Sequence, residues 1–199
     1  MNTRLAPCTV LFFSEVLLAN CATRPTGQPT HSWEQPCDTC IVGVENFGKV
    51  SPTLWRGSQP TVDGFRNLAA AGVKTVISLR EAHDDYDDFS KLGGAQVKYI
   101  RIPMHAYDPD KAQLVVLMKV LEKALKDPDS SPVFIHCAEG RDRTGYSIAT
   151  YRMVFEGWPP DDAIQEMFDY RFNAIWFRDP KFLKKLDVNN FKTLMSIAP

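Results

Sequence analysis

The chain has 199 residues, enough for one domain with a sizeable core plus a tail. Hydrophobic residues make up 44% and charged residues 24%, which excludes a disordered or fibrous chain. A formal net charge of −1 gives no basic field for nucleic acid, and no apolar run reaches the length of a membrane-spanning helix.

The N-terminus stands apart. Arg4 precedes apolar stretches at 8–13 and 16–19, which end at Leu18-Ala19-Asn20-Cys21. This is similar to a bacterial lipoprotein signal, in which the Cys becomes the acylated first residue; an ordinary cleaved signal peptide is the alternative. Glu15 inside the apolar region and Asn20 before the Cys depart from that pattern. The resemblance implies a signal peptide over 1–21, a periplasmic or other extracytoplasmic location, and membrane anchoring through a lipidated Cys21. Residues 22–36 are rich in Thr, Pro, Gly and Gln, and 22–45 reads as a linker ahead of a domain over 46–199. Of five cysteines, Cys8 would leave with the signal and Cys137 remains as the single free thiol. Cys37 and Cys40 lack the second pair a zinc site needs. Nor do they have the flanking strand and helix of a redox motif. They read as a short disulfide pinning the linker to the domain, or as two spare thiols.

Within the domain, 46–60 reads as an extended segment, after which Thr61 caps a helix with Phe65, Leu68 and Ala69 on one face and Gly72 at its end. Val73 to Leu79 is a β-branched, buried-type strand, followed by the acidic run Asp84-Asp85-Tyr86-Asp87-Asp88, read as a solvated loop. Val97 to Ile102 is a further strand. Leu114, Leu117, Met118, Leu121 and Leu125 mark one face of a helix over 110–126. Val133-Phe134-Ile135 is a short buried strand, and a helix runs from Thr144 to Glu156, ended by Gly157. Asp161 or Asp162 caps another helix through Tyr170, and a last one near Pro180 to Leu186 closes the chain. Strands alternating with helices predict an α/β domain: a central, mainly parallel sheet flanked by helices.

Between the Val133 strand and the Thr144 helix lies His136-Cys137-Ala138-Glu139-Gly140-Arg141-Asp142-Arg143-Thr144-Gly145. A loop joining a strand end to a helix N-terminus turns backbone N–H groups and the positive end of the helix dipole inward, which suits an anion. Such surroundings push a thiol toward thiolate. The Arg143 fork matches two phosphate oxygens. A thiolate beneath a bound phosphate is set up to attack phosphorus.

The pattern HC-x-x-G-x-x-R-T-G resembles the signature of the cysteine-based protein tyrosine and dual-specificity phosphatases. Leu54 to Pro60, Gly72 to Arg80, Tyr151-Arg152 and Gly157-Trp158 look like the compact bacterial members, several of them exported or lipid-anchored. The resemblance covers roughly 46–187. It implies the fold of that family, Cys137 as nucleophile forming a phosphocysteine, and Arg143 as stabiliser of the equatorial oxygens together with the amides of Ala138, Glu139, Gly140, Arg141 and Asp142. Thr144 would hydrogen-bond the departing thiolate, and His136 would hold loop geometry. No metal or cofactor is implied. The leaving oxygen's proton would come from the loop at 103–110, with Asp108 as first candidate, Asp110 as second and His105 behind them. Asp108-Pro109 also fits a helix N-cap. Arg56 and Arg80 would pair with acids and brace the site.

The expected activity is hydrolysis of phosphotyrosine or phosphoserine/threonine in a phosphorylated protein or small substrate. Glu139 and Asp142 offset Arg141, which argues against polyanions. The Gly-x-Asp-Arg-Thr-Gly ending also occurs in relatives that act on phosphoinositides or inositol phosphates, so that alternative stays open. A phosphate-binding or redox-sensing module without turnover is the non-enzymatic alternative.

Overall fold

A computed structural model describes residues 21–90 and 97–197 of the chain. Its centre is a five-stranded sheet formed by β1 (Gly48–Lys49), β2 (Leu54–Gly57), β3 (Thr75–Ser78), β4 (Lys98–Arg101) and β5 (Val133–His136), in the spatial order β1-β2-β5-β3-β4. Only β1 runs antiparallel, against β2; the other pairs are parallel, as the alternation of strands and helices requires. The last strand in sequence is therefore the central one. Its carboxyl end opens between β2 and β3, the crevice where parallel sheets bind ligands.

The period of two along β5 sorts its side chains. Val133, Ile135 and Cys137 join the larger core, with Leu114, Leu117, Met118 and Leu121 of α3 (Lys111–Lys126) and Tyr146, Ile148 and Met153 of α4 (Asp142–Phe155). Phe134 faces the opposite core, with Phe65 and Leu68 of α1 (Val62–Ala70) and Phe89 of α2 (Tyr86–Ser90). The nucleophile candidate thus leaves the strand on the side of α4, whose first turn completes the loop. α5 (Pro160–Asp169), α6 (Arg178–Lys185) and α7 (Val188–Ile197) finish that layer. The expected last helix is therefore followed by another: Asp187 Oδ1 accepts from the Asn190 N–H at 2.9 Å and starts α7, which buries Phe191.

The stretch read as a linker packs on the domain. Thr30 Oγ1 and the backbone N–H groups of Thr30 and His31 donate to Asp162 Oδ2 on α5 at 2.6, 2.9 and 3.0 Å. The His31 ring stacks on Trp158 at 4.5 Å, and Trp33 Nε1 donates to Asp169 Oδ2 at 3.0 Å. A Pro- and Gly-rich composition records the lack of regular structure here, whereas the attachment depends on carboxylates well over a hundred residues away. Cys37 and Cys40 are disulfide-bonded. The turn they close presents Asp38, which takes both Nη1 and Nη2 of Arg171, at 3.0 and 2.7 Å, and the Asn46 N–H at 2.9 Å. The acidic run also differs from expectation. Asp85 is fully buried, its Oδ1 lying 3.0 Å from His83 Nε2 and its Oδ2 3.4 Å from His136 Nε2.

Candidate active site

Four consecutive carbonyls of the loop after β5 are turned toward the body of the protein. His136 Nδ1 lies 3.2 Å from the Cys137 carbonyl, the Gln59 N–H donates to that of Ala138 at 3.0 Å, and Asn46 Nδ2 meets those of Glu139 and Gly140 at 3.2 and 3.1 Å. Arg56 Nη2 adds a second bond to the Gly140 carbonyl at 3.1 Å. In a planar trans peptide the N–H lies opposite the preceding C=O. Tying back the carbonyls of 137–140 therefore turns the N–H groups of 138–141 the other way, toward the pocket. Gly140 makes the bend at φ +68, and a Cβ there would sit 2.5 Å from the carbonyl carbon of Gly57.

The donors that hold the loop are unusual. Asn46 is buried at φ +51, a conformation Asn tolerates, and Nδ2 also reaches the Tyr170 carbonyl at 3.0 Å. Arg56 was expected to pair with an acid. Instead it is fully buried, stacked 3.7 Å over the Tyr170 ring and bonded to the loop carbonyl, with Nε and Nη1 left without partners. Burial pushes its pKa down, opposed by Tyr170, Glu166 and Cys137. Arg80 likewise meets an amide, Gln59 Oε1 at 3.0 Å. Burial drives His136 down to about 4 against the pull of Asp85. Its Nδ1 meets the Cys137 carbonyl while Nε2 faces the Asp85 carboxylate. That is the geometric role expected of His136.

A pocket of about 200 Å³ opens over the loop, lined by Cys137, Ala138, Glu139, Asp142, Arg143, Asn173 and Trp176. Arg143 is half-buried and its Nε finds no protein acceptor; the fully buried Thr144 hydroxyl finds none either. Buried donors without partners are rare outside sites that expect a ligand. Both carboxylate oxygens of Asp142 are taken up by donors of the pocket wall. Its Oδ1 accepts from the Asn173 N–H at 3.0 Å and its Oδ2 from the Trp176 indole at 3.2 Å. Burial pushes its pKa up and those two donors oppose it. The first residue of α4 thereby fixes the pocket wall.

Asp108 and Asp110 separate cleanly. Asp110 is the N-cap of α3, accepting from the N–H groups of Ala112 and Gln113 at 2.7 and 3.0 Å, so the cap that Asp108-Pro109 seemed to offer belongs two residues later. Asp108 caps nothing. It sits at φ +62 with its carboxylate exposed, 3.1 Å from Arg178 Nη1, and its N–H donates to Asp179 Oδ1 at 3.1 Å. It is not among the pocket-lining residues, but its neighbour Tyr107 stacks at 5.1 Å on Trp176, which is. His105 is exposed and lies 3.2 Å from Glu81. Asp179 is fully buried, and burial lifts its carboxyl to about 7; the Asp108 N–H opposes the shift, and the charges of Asp142 and Asp108 add to it.

Two outcomes test this geometry. Asn46→Ala frees the Glu139 carbonyl and leaves that of Gly140 to Arg56 alone, so kcat/KM falls about a hundredfold with the fold retained, as for a misplaced reacting group; unchanged steady-state kinetics on an aryl phosphate would remove Asn46 from the site. For Asp179, the unfolded carboxyl releases its proton near 3.8 and the folded one near 7. Between those values the unfolded state binds fewer protons, so stability drops as pH rises across that window. Asp179→Asn abolishes that slope, which urea midpoints of both proteins at pH 5 and pH 8 reveal.

Comparison with known proteins identifies the family. The chain is 35% identical over 136 residues to the dual specificity protein phosphatase TpbA of Pseudomonas aeruginosa, covering 68% of this chain and 57% of that protein. A crystal structure of P. aeruginosa TpbA in complex with pTyr superposes with a TM-score of 0.68 at 29% identity, over 85% of this chain and 99% of that one. An inositol diphosphatase of Arabidopsis thaliana is 29% identical over 74% of each chain. A model of the tyrosine phosphatase family matches residues 41–198, a span that takes in the buried Asn46 and Arg56 as well as the signature loop, and the chain belongs to that family.

Proposed function

We propose that the chain is a cysteine-dependent phosphatase of phosphotyrosine in proteins. The observation that carries this reading is the charge around the pocket. Arg141 pairs with Glu139 at 2.9 Å and Arg171 with Asp38 at 2.7 Å. Arg143 alone of these arginines points a buried N–H at no protein acceptor. One phosphoryl group is thus provided for, whereas an inositol polyphosphate needs several uncommitted cations. The rim is aromatic, with Trp176 backed by Tyr107, a surface that suits a phenyl ring. The relative crystallised with pTyr supports the same substrate class.

In the first step the Cys137 thiolate attacks phosphorus and the bond to the tyrosyl oxygen breaks. That oxygen takes a proton from Asp108. The pocket-facing amides and Arg143 hold the equatorial oxygens as charge builds on them. In the second step water attacks the phosphocysteine, Asp108 accepts the water's proton, the S–P bond breaks and the Thr144 hydroxyl donates to the departing thiolate. Inorganic phosphate leaves.

The test is a substrate panel with the purified protein. A phosphotyrosine peptide turns over faster than an inositol polyphosphate, Cys137→Ser abolishes both, and Arg143→Ala costs about 2–4 kcal/mol of transition-state stabilisation. Trp176→Ala raises KM for the peptide about tenfold while kcat changes less. Preference for the inositol polyphosphate would replace this reading with the inositol phosphatase one, and binding without turnover would replace it with the non-enzymatic one.

We also propose that the protein works outside the cytoplasm. The Cys37–Cys40 disulfide supports an oxidising compartment. Residues 1–20, nearly all of the signal peptide expected over 1–21, lie outside the described residues. Cys21 is disulfide-bonded in the structure, and a lipidated Cys21 would have its sulfur in a thioether instead. Intact-mass measurement of protein recovered from a bacterial envelope distinguishes the two: a mature chain starting at Cys21 with added acyl mass means anchoring. An unprocessed cytoplasmic chain starting at Met1 rejects export.

A further inference from the structure

Asp108 adopts φ +62, the left-handed region that Asp and Asn enter more readily than other non-glycine residues but still at a cost. The first two residues of α6 hold it there. Arg178 Nη1 meets Asp108 Oδ2 at 3.1 Å, and Asp179 Oδ1 accepts the Asp108 N–H at 3.1 Å. The first contact is exposed and solvated, so the second is the firmer. Asp179 sits in the first turn of its own helix, where a carboxylate usually serves that helix's amides. It serves a distant loop instead. It is fully buried and its Oδ2 has no partner, an arrangement that stability alone would select against.

Asp179 is also tied to the pocket. Its N–H donates to the Trp176 carbonyl at 3.1 Å, and the Trp176 indole donates to Asp142 at the start of α4. The acid loop is thereby referenced to the phosphate loop through Asp142, Trp176 and Asp179. The Tyr146 hydroxyl, from α4, adds a bond to the His105 carbonyl of the same loop at 2.7 Å.

We propose that Asp179 is a positioning residue for proton delivery: by holding the Asp108 N–H it aims the acid at the leaving oxygen, although it touches no substrate itself. The inference rests on Asp108 being the acid. A merely structural Asp179 would slow all substrates alike when replaced. A positioning residue slows those that need the proton, because an activated leaving group departs without it.

The experiment compares a nitrophenyl phosphate with unsubstituted phenyl phosphate in Asp108→Asn, Asp179→Ala, Asp179→Asn and the Asp108→Asn/Asp179→Ala double variant. Asp179→Ala lowers kcat on phenyl phosphate about tenfold or more and on the nitrophenyl ester about threefold or less. Asp179→Asn, whose Oδ1 still accepts the Asp108 N–H, restores most of the loss. The double variant is no slower than Asp108→Asn alone. Equal losses on both substrates, additive losses in the double variant, or no rescue by Asn overturn the proposal. Should Asp108→Asn show no leaving-group dependence while Asp179→Ala does, Asp179 is itself the acid and the positioning role is overturned. Should neither show it, the Asp108 assignment fails, and this proposal with it. Asp179→Asn, close in shape to the native side chain, keeps the comparison available if Asp179→Ala does not fold.

Discussion

The site depends on one backbone constraint: the carbonyls of Cys137, Ala138, Glu139 and Gly140 must face the protein so that the following amides face the pocket. A row of N–H groups pointing one way is unfavourable for an isolated loop, since nothing would then satisfy the carbonyls except water. Here protein donors come from different parts of the chain: the His136 ring beside the nucleophile, the Gln59 amide after β2, the Asn46 amide before β1 and the Arg56 guanidinium on β2. Arg56 costs a good deal to bury, and no carboxylate compensates it directly. Its position beneath the loop brings a permanent charge near the place where a dianion binds, where low dielectric strengthens the attraction. Part of the loop's anion affinity therefore resides in a side chain outside the signature.

The same logic extends outward. Asp142, which might have repelled phosphate, is occupied by two donors from 173–176, so the acid at the start of α4 becomes the anchor of the aromatic wall. Glu139 and Asp38 occupy arginines that would otherwise attract polyanions. On the proposed function, specificity comes less from what the site offers than from what its carboxylates have already taken up, a form of discrimination by withheld contacts.

What the sequence revealed and what it hid follow the same division. The β5 strand, the loop, α3 and α4 are local features: a run of apolar residues, a glycine at the bend, one apolar face at helical spacing. Cys137, Arg143 and Thr144 were legible because the chemistry they share sits within eight consecutive residues. Asn46, Asp179 and the buried Asp85 were not. Each acts across 51 residues or more of chain, Asp85 on His136, Asp179 on Asp108, Asn46 on Gly140. No local pattern distinguishes a buried acid in Asp84-Asp85-Tyr86-Asp87-Asp88 from a solvated one. The Asp108-Pro109-Asp110 step shows how close the margin is. Capping chemistry was read correctly, but the residue that performs it is Asp110, because Pro109 stands just outside the helix rather than in its first turn.

Several of the orphaned polar atoms lie at these same elements. Arg143 Nε, Thr144 Oγ1 and Arg56 Nε and Nη1 lie in or beneath the phosphate loop, and Asp179 Oδ2 lies behind the acid loop. A fold under selection for stability alone would satisfy or replace them. Their distribution separates two roles. In the proposed mechanism the unsatisfied donors of Arg143 and Thr144 are completed by a phosphoryl group and by the thiolate it leaves behind, so their cost is recovered during the reaction. The unsatisfied oxygen of Asp179 faces no such partner. What Asp179 holds instead, through its other oxygen, is the N–H of Asp108 in the acid loop.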